Sequence, residues 1–89
     1  MTPVLYRDTA RKNLKDIETY FSAFSESAFN NVMKDINSSL TALQIFPEAG
    51  SPLSNNRRRI ATTRYKFVIS YLYKGEAIEV LGIHRYQNR

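Results

Sequence analysis

The sequence predicts an α+β domain of order β-α-α-β-β-β, a helical hairpin packed on an antiparallel sheet. Three observations carry this. Two apolar stripes of helical spacing follow one another with only a three-residue link between them. After Pro47 the apolar spacing changes from helical to alternating. Lys74-Gly75 then separates two strand-like runs as a tight turn.

Pro3-Val4-Leu5-Tyr6-Arg7 reads as a short opening strand, and Asp8 or Thr9 as the cap of the helix after it. Ala10, Leu14, Ile17, Phe21 and Phe24 form that helix's apolar stripe. Lys12, Asn13, Lys15, Asp16 and Glu18 fill its polar side. Ser25 offers a second cap, and Glu26 suits a helix N-terminus. Phe29, Val32, Met33, Ile36, Leu40 and Leu43 make the second stripe. The link Ser25–Ser27 is short enough to make the helices antiparallel neighbours, and Pro47 stops the second one. Residues 47–52 read as turn, and Ser54-Asn55-Asn56 extends them as a loop. Arg58 to Thr62 is a strand. Tyr65, Phe67, Ile69, Tyr71 and Tyr73 alternate with Lys66, Val68, Ser70 and Leu72 as the next, and Ala77 to His84 is its partner. There is no repeat, linker or low-complexity tract, so residues 1–89 read as a single domain.

Composition narrows the chemistry. The chain has no cysteine and one histidine, His84. Disulfide scaffolds, thiolate nucleophiles, iron–sulfur clusters and multi-histidine zinc sites are excluded, and no cofactor or metal ligands are expected. No apolar run approaches the roughly 20 residues that span a bilayer. No secretory signal is visible at the start, so a cytoplasmic location is expected. The formal net charge is +5, unevenly placed. Residues 1–56 carry five basic and six acidic side chains; residues 57–89 carry eight basic and two acidic. Such asymmetry points to an acidic partner or to a solvated basic face.

Two basic clusters are candidates for function. Arg57-Arg58-Arg59 on a strand places Arg57 and Arg59 on one face and Arg58 on the other. Hairpin pairing would bring Arg64 and Lys66 beside them. The cluster is either an anion-binding patch, since guanidinium groups contact phosphate and carboxylate in bidentate fashion, or a sheet edge kept soluble by charge. His84-Arg85-Tyr86 closes the last strand. A histidine, arginines and a tyrosine could supply the proton acceptor, charge stabilisation and stacking that RNA cleavage through a 2′-hydroxyl requires. Equally, His84 is a strand-end histidine satisfied by backbone. The tyrosine-rich strand at residues 65–73 is either core or a base-stacking platform. No carboxylate pair, glycine-rich phosphate loop or nucleophile elbow is present.

Taken in order, these pieces resemble the ParE/RelE superfamily of toxins from bacterial type II toxin–antitoxin modules. The opening strand and Ala10 lead into Asn13-Leu14-Lys15-Asp16-Ile17 with Tyr20. Leu40, Leu43, Phe46, Pro47 and Gly50 resemble the family's second helix end. Tyr65 to Tyr71 and Ile78 to His84 with Arg85 resemble its last two strands. The resemblance covers nearly the whole chain. It implies a growth-inhibiting toxin neutralised by a small cognate antitoxin and joined to it in an oligomeric complex. The groove of the helical hairpin and a sheet edge are the surfaces open to such a partner. The ParE branch, to which the hairpin, the first helix and the closing histidine are closer, implies DNA gyrase as target and no enzyme activity. The alternative RelE branch implies ribosome-dependent mRNA cleavage, with Arg59, Arg64, His84, Arg85 and Tyr86 as catalytic residues. A third reading, independent of the family, is a small basic nucleic-acid-binding module.

Overall fold

The structure, a computed structural model, describes residues 1–85. The chain runs β1 (Val4–Tyr6), α1 (Asp8–Ser22), α2 (Glu26–Ile45), β2 (Ser51–Ser54), β3 (Arg57–Ala61), β4 (Phe67–Tyr73) and β5 (Ile78–Arg85). The helices form the expected hairpin. The five strands make one sheet in the order β1-β5-β4-β3-β2. All neighbours are antiparallel except β1 and β5, which pair in parallel with Leu5 opposite Glu79. The parallel pair follows from the topology: β1 leaves through the helical hairpin, and the chain returns beside it only with the last strand.

The helices begin and end for different reasons. At α2, Ser25 caps as expected, its Oγ accepting the Ala28 N–H at 3.0 Å. At α1, neither Asp8 nor Thr9 caps. The N-cap is Arg7, without a side-chain bond, and Asp8 sits in the first turn where a carboxylate complements the helix dipole. The Arg7 N–H goes to the Val80 carbonyl, so β5 fixes where α1 starts. Helix α1 ends at Ser22. Phe24, on the stripe by spacing, therefore lies beyond the helix and is 67% exposed.

The core lies between α2 and the sheet. Val32, Ile36, Leu40 and Leu43 meet Phe67, Ile69 and Tyr71 of β4 and Ile78, Val80 and Ile83 of β5, with Ala10 and Ile17 from α1. The alternating β4 face is thus core. On β5 the inward residues are 78, 80 and 83, which breaks strict alternation. Ser70 pairs with Gly82 but Tyr71 pairs with Val80, so Leu81 is the extra residue of a bulge.

Strand β2 replaces part of the expected turn and loop. All four of its residues are exposed, it contains Pro52, and it pairs only with β3. An edge strand with no buried face has no alternation to read. Asn55 and Asn56 take φ of 38° and 67°, the positive values that a tight hairpin turn requires.

Strand β4 starts at Phe67, not Tyr65. The buried Asp35 of α2 (8% exposed) draws the preceding residues away from the ladder. Its Oδ1 accepts the Arg64 N–H at 3.0 Å and its Oδ2 the Tyr65 N–H at 2.7 Å. Thr62 accepts the Phe67 N–H on its Oγ1 at 2.9 Å. The turn closes with Lys66 at a φ of 60°. That left-handed position costs a lysine about 1 kcal/mol.

Candidate functional site

Helix α1 stands over β5, leaving a groove of about 760 Å³ between its polar flank and the sheet. One wall is Asn13, Asp16 and Tyr20, spaced at three and four along α1. The floor is Ile17, Phe21, Phe67, Val68 and Ile83. The rim carries Arg59 of β3, His84 and Arg85 of β5, and Leu53 of β2. Register explains the convergence. Arg59 is opposite Ser70, Ser70 opposite Gly82, and Val68 opposite His84, so residues far apart in sequence meet across three strands.

Local contacts fix the groove's shape. Asn13 Oδ1 accepts the Ile83 N–H at 3.0 Å and ties α1 to β5 beside the bulge. A methyl on Gly82 would lie 2.7 Å from His84 Nε2 and 3.3 Å from Asn13 Oδ1. Only a residue without a side chain leaves the imidazole room to lie back along the strand. The Arg85 guanidinium carbon sits 5.3 Å from the Tyr20 ring centre and 5.7 Å from that of Phe21. These cation–π contacts hold it against the α1 wall. Tyr20, Phe21 and Phe24 pack edge-on beside it, with Tyr20 and Phe21 centroids 4.9 Å apart.

Three of the five residues predicted for a site, Arg59, His84 and Arg85, therefore line one groove. Arg64 does not. It sits in the β3–β4 turn, its N–H on Asp35 and its guanidinium carbon 5.7 Å from the Tyr65 ring centre. Tyr86 lies outside the described residues. The expected grouping of Arg64 and Lys66 with the arginine triplet also fails. Arg57 is opposite Leu72, near the far end of the hairpin from that turn. By spacing, Asn13 and Asp16 belong to α1's solvent side, and no sequence pattern marks Leu53, yet all three line the groove. The i, i+3, i+7 spacing of Asn13, Asp16 and Tyr20 was the available signal for a second, polar face in use.

Arg58 has a structural task. Its Nη1 donates to the carbonyls of Glu48 at 2.9 Å and Gly50 at 2.8 Å, and its Nη2 approaches Glu48 Oε2 at 3.5 Å. Beside it the buried Tyr71 hydroxyl accepts the Gly50 N–H at 2.9 Å and donates to the Pro47 carbonyl at 2.8 Å. Burial pushes the Tyr71 phenol's pKa up, against smaller opposing effects of the Gly50 N–H and Arg58. The phenol stays protonated, as its donor role needs. At Asp35 burial also favours the neutral acid. The bonds from Thr62, Tyr65 and Arg64, with the Arg64 charge, outweigh it and hold the carboxyl below its ordinary range.

Chemically, the groove offers apolar contact along its floor, two guanidinium groups and an imidazole on its rim, and one carboxylate, Asp16. It suits a ligand with both apolar and anionic groups. Among the described residues no three His, Cys, Asp or Glu cluster as a metal would need. No helix among them is long and apolar enough to cross a membrane.

Comparison with known proteins places the chain. No curated protein matches it in sequence. A solved structure described as "Chromosomal ParDE TA system from P. aeruginosa" is similar over 98% of each chain, with a TM-score of 0.78 and 25% identity. Residues 4–87 match the family described as the ParE toxin of the type II toxin–antitoxin system parDE. With the match running from β1 through the groove-lining end of β5, the chain belongs to the ParE toxin family and is a type II toxin.

Proposed function

We propose that this toxin arrests growth in the cytoplasm by binding DNA gyrase, and that a cognate antitoxin neutralises it by filling the groove between α1 and the sheet. Family membership over residues 4–87 carries the reading. The likeness to a ParDE system supports an antitoxin partner. The groove's character supports the mode of neutralisation. Apolar side chains of an inhibitory segment would cover Ile17, Phe21 and Val68, and its carboxylates would meet Arg59 and Arg85. The net charge of +5 suits an acidic partner. On this reading Arg59, His84 and Arg85 are binding residues and the protein is not an enzyme.

One observation favours the alternative, a ribosome-dependent mRNA endonuclease: Arg59, His84 and Arg85 meet in one groove. There His84 would accept the 2′-hydroxyl proton and the two arginines would stabilise charge on the phosphate. Arg64 does not line that groove, and its guanidinium lies over the Tyr65 ring, which weakens that site.

Induced expression followed by pulse labelling separates the two. The gyrase reading expects DNA synthesis to fail first, with filamentation and a damage response. It also expects purified toxin to inhibit supercoiling. Early loss of protein synthesis with transcripts cut at codon boundaries would overturn it in favour of the nuclease.

A further inference from the structure

The β3–β4 turn is an unused feature of the site's surroundings. Residues 63–66 are all exposed, and three of them are Arg64, Tyr65 and Lys66. The turn is rigidly held, since both oxygens of Asp35 grip its backbone and Thr62 closes its base. Lys66 occupies a left-handed position where glycine or asparagine would fit with less strain. Phe67, the next residue, lies opposite Arg85, so Arg64, Lys66 and Arg85 share one end of the sheet. Asp35, the acid that meets the turn, is buried and accepts the Arg64 and Tyr65 N–H groups.

We infer that this end of the sheet, led by Arg64 and Lys66, is a contact surface for the phosphodiester backbone of duplex DNA. Charge complementarity selects an anionic partner. The Arg64 guanidinium lies over one face of the Tyr65 ring and covers that face from an unpaired base. Apart from Tyr65, 37% exposed, residues 63–66 are polar or charged and give a peptide little apolar surface. What remains is point charge on a protruding, pre-ordered turn, which positions a protein on phosphates without reading sequence. The inference goes beyond the gyrase reading. If that reading also holds, the turn would touch the DNA that gyrase carries.

The test is binding of purified toxin to a labelled duplex across a salt series. Three cations on phosphates give a slope of about −2.7 in log K against log salt, and loss of two of them shallows it by about 1.8. Arg64→Gln with Lys66→Asn removes both charges, keeps both backbone donors for Asp35, and leaves a residue that tolerates positive φ at 66. Arg57→Gln with Lys74→Gln, beyond the other end of β4, is the control and should leave the slope unchanged. Absence of duplex binding at low salt, an equal loss in the control pair, or tighter binding to single-stranded RNA than to duplex would each overturn the inference. A toxin that binds DNA through this turn yet leaves gyrase untouched sinks the gyrase reading and leaves this one standing. A toxin that inhibits gyrase while the turn variant binds DNA like wild type does the reverse.

Discussion

Asp35 is the residue whose loss should be felt most widely. Its carboxylate is buried, and it accepts two backbone N–H bonds, at 3.0 and 2.7 Å. Hydrogen bonds to a charged acceptor contribute roughly 1.5–3 kcal/mol each. An orphaned buried donor costs about 1–3 kcal/mol. Desolvation of the carboxylate offsets part of this. Asp35→Ala should therefore destabilise the fold by about 3 kcal/mol. For a domain of this size that lowers Tm by roughly 12–24 °C. Urea denaturation followed by circular dichroism measures it.

The same contacts fix the pH dependence. The folded carboxyl titrates below its unfolded value of 3.8, because bonding favours the ionised form more than burial opposes it. The stabilisation is thus fully present above the unfolded pKa. It is lost as pH falls through the lower, folded one. The stability gap between wild type and Asp35→Ala should hold steady from neutral pH down to about 5 and narrow in stronger acid. A variant within 1 kcal/mol of wild type, or a gap that widens on acidification, would refute the account of Asp35 as an ionised clamp.

Two other substitutions test the framework and the groove. Tyr71→Phe deprives the Gly50 N–H and the Pro47 carbonyl of their shared partner, and should cost about 2 kcal/mol in urea denaturation with the fold retained. Gly82→Ala puts a methyl 2.7 Å from His84 Nε2. The ring can swing away, so the expected cost is about 1 kcal/mol with a large shift of the His84 imidazole resonances. An unmoved imidazole signal would show that the ring does not rest along Gly82.

Much of the frame was legible because its signals are local. The Ser25 cap and the α2 stripe need only neighbours within a turn or two of helix, and the core took Val32, Ile36, Leu40 and Leu43 as their spacing implies. The features that escaped depend on distant partners. Asp35 looks like any polar residue on a helix. Its role is set by a turn some thirty residues away. The Leu81 bulge hides in an apolar run, because Val80, Leu81 and Ile83 look alike whichever way each points. Strand β2 has no buried face and hence no pattern.

The arginine triplet shows where such reading stops. Alternation correctly separates Arg58 from Arg57 and Arg59. Parity alone does not say what either face meets. The face of Arg58 meets the carbonyls of Glu48 and Gly50, so its charge is used up in holding the segment between α2 and β2. The other face meets Ser70, and beyond it the end of β5, so Arg59 reaches the groove while Arg57, two residues back, does not. Three identical side chains thus divide into a structural tie, a groove residue and an exposed surface charge. That division is made by strand register and by the placement of α1 against β5, neither of which is local to the triplet. Net charge alone would count all three as one basic patch. In the folded chain only Arg59 joins His84 and Arg85, and a substitution series that treats Arg57 to Arg59 as equivalent would mix loss of fold with loss of binding. Arg58→Ala should therefore lower stability, whereas Arg59→Ala should spare stability and weaken whatever the groove holds.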